Sequence, residues 1–286
     1  MSSASTHLPE GNRPPRTHAT THTHTVSVPV TTLWVGPDSP RPVDAPIIED
    51  RADAAAWLAA LDAHADEDEA GDGRLGLHGR VESQLLRGEP VTVVGSDGSD
   101  SSDGADGADG RWARVVAPWQ RSPKDDRGYP GWVPAAHLAP VREGAPVAVA
   151  APPVAPNAAT LAADGDHPAV VLARQHLGLR YLWCGISPLG FDCSGLVLHT
   201  WRQFGHVIAR DAYAQADTAE PVALDDVRSG DLYFFARPGR RIHHVGIVVR
   251  PGRMVHASET GRVLVEEDLP PERLATLVAA GRLPHP

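Results

Sequence analysis

Residues 190–205 read GFDCSGLVLHTWRQFG, and they place one of the chain's two cysteines between an aspartate and a serine. Leu196 and Val197 follow Cys193 at the spacing that places side chains on one face of a helix. This spacing predicts a helix that begins near Cys193 and ends at Gly205. Free backbone N–H groups and the helix dipole favour negative charge in a first turn. We therefore expect the Cys193 thiol to ionise more readily than an ordinary cysteine, although a lone cysteine is more often a buried apolar residue.

The segments around this helix indicate an α+β fold. Downstream, DLYFFA, HHVGIVV, RMVHAS and RVLVEE read as four strands, with RPGR as the hairpin turn between the second and the third. Upstream, PAVVLARQHLG reads as a helix with Pro168 early and Gly178 just past its end. Helices followed by strands predict helices packed on an antiparallel sheet.

Two of these strands carry histidines that could serve a cysteine nucleophile. Such a nucleophile needs a base and usually a third group that orients the base. Strand alternation sends His243 and His244 to opposite faces, and cross-strand pairing lets His256 share a face with one of them. The pattern predicts a Cys–His–His site with Cys193. A three-ligand zinc site is the competing hypothesis, disfavoured because no element carries a closely spaced ligand pair.

The first half of the chain has the pattern of a domain made mainly of short strands. Residues 26–140 contain the short strand patterns HTVSVPVTTLWV, GEPVTVVG, RWARVVAPW and GYPGWVP, interrupted by one helical stretch, DRADAAAWLAALDAHA. Residues 1–25 are polar and read as a disordered tail, and residues 141–166 are rich in Pro and Ala and read as a linker. Residues 167–286 then form the second domain.

Composition narrows the class of protein. The chain of 286 residues is 42% hydrophobic with a formal charge of −10, as in a soluble protein that does not bind nucleic acid or anionic membranes. No apolar run approaches the ~20 residues of a membrane helix. The N-terminus lacks a secretory signal, so we expect a cytoplasmic location unless the start site is misassigned. Two cysteines cannot form a disulfide framework, which fits a reducing compartment.

Four segments in order, YLWCGISPLGFDCSGLV, RSGDLYFF, HVGIVV and MVHAS, resemble the NlpC/P60 cysteine peptidases, a papain-like family that cuts bacterial cell-wall peptides. The resemblance covers residues 167–268. It implies a papain-like α+β domain in which Cys193 is the nucleophile, His244 the base and His256 the orienting group, with no metal or organic cofactor.

The same resemblance assigns substrate contacts. Tyr181 matches a tyrosine beside the nucleophile, and Asp192 and Ser194 match residues that bind the substrate amine and line the pocket. The chain departs from the family pattern at two positions. Cys184 stands where the family usually has glycine, and Ala212 stands where a substrate-contacting serine often occurs.

In the first half, LLRGEPVTVVG, RWARVVAPWQ and GYPGWVPAAHL resemble the bacterial SH3-like β-barrel domain of peptidases that act on γ-D-glutamyl–diamino-acid bonds. In those peptidases the domain closes one end of the cleft and restricts substrates to those with a free N-terminal L-alanine. The resemblance assigns the contact with this alanine to Glu89 and Tyr129. The resemblance implies hydrolysis of the γ-D-glutamyl–meso-diaminopimelate (or lysine) bond of peptidoglycan stem peptides, in recycling of wall fragments. An inactive wall-peptide-binding protein and an amidase or acyltransferase on the same fold are the alternatives; the sequence predicts no oligomeric state.

Overall fold

The computed structural model describes residues 24–64, 71–97, 110–141 and 166–284. The predicted tail and linker therefore lie almost entirely outside the described residues. The strands are β1 (His24–Val26), β2 (Val30–Trp34), β3 (Val81–Leu86), β4 (Pro90–Ser96), β5 (Trp112–Ala117), β6 (Tyr129–Pro134), β7 (Leu138–Pro140), β8 (Ile186–Ser187), β9 (Gly190–Phe191), β10 (Glu220–Val222), β11 (Leu232–Ala236), β12 (Ile242–Arg250), β13 (Arg253–Ser258), β14 (Val263–Asp268) and β15 (Leu277–Arg282). The helices are α1 (Ala45–Ile48), α2 (Ala54–Asp62), α3 (Pro168–Arg174), α4 (Cys193–Arg202), α5 (Ala212–Thr218) and α6 (Pro271–Leu274).

The first seven strands form one antiparallel sheet in the order β3-β2-β6-β5-β4-β1-β7. Its core contains Leu33, Leu85, Val115 and Val133, which are fully buried. The segment that reads as one long strand is divided, because β1 ends at Val26 and β2 begins only after proline, which lacks an N–H for the ladder. The predicted helix is α2, and its N-cap Asp53 accepts a hydrogen bond from the Ala56 N–H.

Six strands of the second half form the sheet β10-β15-β11-β12-β13-β14, and helices α3, α4 and α5 accompany it. The four strands predicted from sequence are β11 to β14, neighbours in the order expected of a meander, and the α+β prediction is confirmed. Strand β15, which pairs with β11, was not predicted from the sequence. Its LVAAGR sequence carries one β-branched residue, so it has little strand signal.

Helix α4 packs against the middle of this sheet. Leu196 and Val197 join the core formed with Val245 and Ile247 of β12. Asp192 is the N-cap, and its carboxylate accepts from the Gly195 N–H at 2.5 Å. A Cβ on that glycine would stand 1.9 Å from a backbone carbonyl oxygen, so only glycine fits.

The helix is not amphipathic in the way its spacing suggests. Every residue of α4 except His199 is buried, polar Thr200 and Arg202 included. Away from the second sheet, α4 contacts α3, α5, β8 and β9, and at its end Arg202 pairs with Glu89 of the first half. The two halves are therefore packed together at the helix that carries Cys193.

Candidate active site

Two buried histidines lie together on neighbouring strands. His244 Nε2 lies 2.9 Å from His256 Nδ1. Strands β12 and β13 are antiparallel, with Ile247 opposite Val255, and this register brings the two rings to one face. Gly246 makes the approach possible: a Cβ there would stand 3.2 Å from the His256 Cβ and 2.4 Å from a methionine sulfur.

An acid continues this chain of hydrogen bonds. His256 Nε2 lies 3.0 Å from Glu267 Oε1, which also accepts from Arg273 Nε at 3.2 Å. Sequence reasoning missed Glu267. A signal was available, because in the β13–β14 register His256 faces Val265, and alternation places Glu267 on that same face.

Cys193 is held against the strand that bears His244. It is the first residue of α4, and its Sγ lies 3.9 Å from the backbone oxygen of His243, the residue before His244. Because His244 Nε2 is bonded to His256, Nδ1 is the ring nitrogen left to take a proton from a thiol.

Burial sets the protonation of these groups. It raises the pKa of the Cys193 thiol to about 12; the Asp192 charge adds to the rise, and the N–H groups of Val245 and Ser194 oppose it. The expected easier ionisation is therefore wrong, because loss of water outweighs the helix terminus. Burial also lowers the pKa of His244 well below 6.5 and that of His256 to about 4.

The resting site is thus a neutral thiol beside two neutral imidazoles. A lone charge on either Cys193 or His244 is disfavoured by desolvation, whereas an internal proton transfer leaves the pair with no net charge. The geometry supports a thiol that is activated by the histidine at the moment of attack.

A cavity of about 330 Å³ opens at the thiol. Its lining contains four of the residues that the family resemblance assigns to substrate: Tyr129, Tyr181, Asp192 and Ser194. Tyr129 comes from β6 of the first sheet, so both halves of the chain build the cavity.

Tyr129 marks an acidic end of the cavity. Its hydroxyl lies 3.1 Å from Glu82 Oε2 and 3.1 Å from both carboxylate oxygens of Asp211. Burial and the two acids raise the Tyr129 pKa well above its usual range, so the hydroxyl stays a donor. Burial also raises the pKa of Asp211, although the neighbouring Arg210 charge lowers it. Lys124 contacts Glu82 at the outer edge of this cluster.

Glu89, the other residue assigned to the amine contact, is not in this cavity. It is 2% exposed, accepts from the Leu86 N–H at 2.9 Å, and forms an ion pair with Arg202 of α4. The acid that does lie beside Tyr129 is Glu82, seven residues earlier on β3. The prediction for Glu89 is therefore wrong, because its carboxylate is already used between the two halves.

Asp192 and Ser194 line the cavity, yet their oxygens hold a buried arginine. Arg210 donates to Asp192 Oδ2 at 2.6 Å, to Ser194 Oγ at 2.9 Å and to Ser83 Oγ at 2.8 Å. Ser83 belongs to β3, so one guanidinium ties the residues on both sides of Cys193 to the first half of the chain.

Of the two departures from the family pattern, the contacts of Cys184 explain the first, and nothing in the structure explains the second, Ala212. Cys184 has φ of +60°, the left-handed region that glycine adopts most easily, and its thiol donates to the Val81 carbonyl at 2.9 Å. Burial raises its pKa well above the usual range, so it is a neutral donor between the two halves. Ala212 begins α5 and lines the cavity.

Within the described ranges, no group of three or more His, Cys, Asp or Glu side chains is arranged to hold a metal ion. The same residues include no helix long and apolar enough to span a membrane.

Comparisons with known proteins identify relatives of this chain. A family model described as the NlpC/P60 family matches residues 178–271. The chain is 32% identical to a gamma-D-glutamyl-L-lysine dipeptidyl-peptidase of Bacillus subtilis (strain 168), over 84% of this chain and 91% of that protein. It is 26% identical to one of the same name from Bacillus cereus (strain ATCC 10987 / NRS 248), over 83% of each. The crystal structure of an NlpC/P60 family protein from Bacillus cereus ATCC 10987 has a TM-score of 0.69 at 22% identity, covering 91% of this chain and 99% of that one.

Proposed function

Because the chain belongs to the NlpC/P60 family, we propose that it hydrolyses the amide bond between γ-D-glutamate and a diamino acid in peptidoglycan stem peptides. The chain is a cysteine-type hydrolase that acts on peptidoglycan peptides. The observation that carries the finer proposal is the cavity at Cys193, which ends at the acids Glu82 and Asp211 around Tyr129.

An acidic end suits a substrate with a free amino terminus. A substrate ammonium would pair with the carboxylates of Glu82 and Asp211, which the Tyr129 hydroxyl holds together. With the ammonium fixed there, the scissile carbonyl lies at Cys193 after a short fragment such as L-Ala-γ-D-Glu. We propose that the first sheet is the predicted SH3-like domain and that its β3 and β6 close this end of the cleft.

The reaction follows from the neutral resting pair. His244 takes the thiol proton at Nδ1 as Cys193 Sγ bonds to the carbonyl carbon, and the Cys193 N–H at the helix start stabilises the oxyanion. The imidazolium then gives its proton to the leaving amine. Water, deprotonated by His244, hydrolyses the acyl-enzyme and restores the thiol.

The purified full chain, incubated with L-Ala-γ-D-Glu-meso-diaminopimelate and L-Ala-γ-D-Glu-L-Lys, is expected to release L-Ala-γ-D-Glu, seen by mass spectrometry. Cys193→Ala should release none. N-acetylation of the alanine removes the ammonium that would pair with Glu82 and Asp211 and should lower kcat/KM by about a hundredfold.

The outcomes separate the alternatives. Tight binding without cleavage would indicate a peptide-binding protein, and cleavage of N-acetylated peptides alone would contradict the amine contact. Cleavage of neither peptide, with turnover of a lipid amide instead, would indicate another reaction on this fold.

We also propose that the substrate is a released wall fragment. An acidic cavity end disfavours a peptide whose terminal nitrogen is acylated, so a reaction that frees this nitrogen must precede the one proposed here. The cytoplasmic location and the recycling role stay predictions, which cell fractionation and the fate of labelled stem peptides would test.

A further inference from the structure

A second cavity of about 600 Å³ lies next to the cavity at the nucleophile. The two share the side chains of Trp183 and His243 in their linings. His243 is also the residue whose carbonyl lies against Cys193 Sγ at 3.9 Å. The second cavity therefore begins at the nucleophile and continues the cleft beyond it.

This second cavity is strongly basic. Arg237, Arg240, Arg241 and Arg262 line it, and the first three are exposed in the loop between β11 and β12. Among its described lining residues Glu259 is the one acid.

That acid is already engaged in an ion pair. Glu259 Oε1 lies 3.1 Å from His78 Nε2, and the hydrogen bond from His78 lowers the Glu259 pKa. The His78 ring in turn packs on Trp183 with 3.8 Å between ring centroids. The net charge facing the cavity is therefore positive.

The arginines also approach the first cavity. The Arg241 guanidinium stacks over the Tyr213 ring at 3.6 Å from its centroid, and Tyr213 lines the cavity at the nucleophile. The cleft is thus acidic at the end near Tyr129, has Cys193 in its middle, and is basic at the other end. A substrate oriented by its ammonium at the acidic end directs its leaving group into the basic end.

Resting on the proposed function, we propose that this arginine-lined cavity is the leaving-group subsite, and that it selects a diamino acid whose side chain ends in a carboxylate, such as meso-diaminopimelate, over lysine. Arginine guanidinium groups bind carboxylates, often through two hydrogen bonds at once. A lysine side chain would bring only an ammonium into a cavity that four arginines line. The distal carboxylate of diaminopimelate offsets that charge.

The test measures kcat/KM at low salt for three L-Ala-γ-D-Glu tripeptides that end in meso-diaminopimelate, in the same residue with its distal carboxylate amidated, and in L-lysine. We expect the free acid to be favoured about tenfold over the other two, as two or three partly exposed charge pairs would give. High salt should reduce the preference.

Two double variants test whether these arginines cause the preference for the free acid. Arg237→Gln combined with Arg240→Gln should bring the ratio of free acid to amide close to one, and Arg237→Lys with Arg240→Lys should keep most of it. Arg250→Gln is the matched control, because Arg250 is an exposed arginine at the far end of β12, paired with Asp268. It should leave the ratio unchanged.

The outcomes are distinct. Equal or better cleavage of the lysine or amidated peptide by the wild-type chain overturns the subsite, and so does a preference that survives loss of both arginines; the proposed function stands in either case. Failure to cleave any of the three peptides overturns the proposed function itself. If the double glutamine variant unfolds early in a thermal scan, Arg240→Gln alone carries the test.

Discussion

Glu267 fixes which nitrogen of each active-site histidine carries the proton. Its carboxylate accepts a hydrogen bond, so His256 is protonated at Nε2 and accepts at Nδ1. His244 must then donate from Nε2, which leaves its Nδ1 unprotonated and able to receive the thiol proton. In the proposed mechanism, Glu267 acts on His244 through the intervening His256 ring and positions it.

Glu267→Gln should therefore lower kcat by at least about tenfold with little change in KM, because an amide can donate to His256 Nε2 and favour the wrong tautomer. Steady-state kinetics on the tripeptide, with a pH profile, measure this. Glu266→Gln is the control on the same strand, since Glu266 pairs with Arg174 and Arg253 instead. Equal losses in both variants, or a change in KM alone, would contradict the role of Glu267.

Local pattern is sufficient to single out Cys193, His256 and the pair His243 and His244, because a helix start and strand alternation determine where such side chains point; the choice of His244 within that pair came from the family resemblance. Local pattern does not determine whether these side chains are charged. The thiol pKa depends on burial, and the residues that bury Cys193 come from strands about 50 residues away in sequence, such as Val245. The sequence shows the helix terminus but not the loss of water.

At the scale of elements, β3 makes several of the contacts that join the two halves. It is an edge strand of the first sheet. Its Val81 carbonyl accepts from Cys184, its Ser83 hydroxyl accepts from Arg210, and the Gln84 side chain accepts from the Ile186 N–H at 3.2 Å. The second half of the chain thus covers an edge that would otherwise be open.

No sequence signal predicted β3. Its sequence VESQLL buries the polar residues Ser83 and Gln84 together with Leu85, so apolar and polar residues do not alternate. Those polar groups are compatible with burial only because residues of the second half bond to them. Contacts with the second half of the chain also determine which acid faces the cavity, and local periodicity does not reveal them. For this reason Glu89 was predicted as the substrate contact in place of Glu82.

Glu89→Gln tests the corrected role of that residue. Arg202 is 6% exposed, so removal of its partner charge leaves a buried cation and should lower the free energy of unfolding by about 3 kcal/mol. Urea unfolding measures the loss, and kinetics should show an unchanged KM for the tripeptide.

The exposed Glu272→Gln is the control and should change stability by no more than about 0.5 kcal/mol. A raised KM with undiminished stability in Glu89→Gln would restore Glu89 as a substrate contact.

At the scale of the whole molecule, the active-site cavity exists only where the two halves meet. Glu82 and Tyr129 come from the first sheet, and Cys193 and Asp211 come from the second half. Much of each half, though not β3 or β15, could be predicted from its own strand and helix patterns, whereas the packing of the halves depends on side chains distant in sequence. For this reason Tyr129 was predicted as a substrate contact from the family resemblance, because periodicity alone could not place it in the cavity.

The same packing buries or half-buries several histidines, and this makes stability depend on pH. Burial is the largest cause that lowers the pKa of five of them below 6.5: His137, His176, His199, His244 and His256. The folded chain holds these rings neutral, while the unfolded chain takes up protons once the pH falls below about 6.5. Their contribution to stability is therefore complete above pH 6.5 and is lost as the pH falls toward 4.

Urea unfolding at pH 7.5, 6.5, 5.5 and 4.5 should show a free energy of unfolding that is nearly level between the first two values and then falls steadily. His199, whose pKa burial lowers to about 4, lies outside the catalytic chain of hydrogen bonds. His199→Gln should reduce the slope between pH 6.5 and 4.5 by up to about 1.4 kcal/mol per pH unit, the value for one proton. The exposed His64→Gln should leave the slope as it is. A slope that is flat in the wild-type chain, or that His64→Gln changes as much as His199→Gln, would contradict the assignment of acid sensitivity to buried imidazoles.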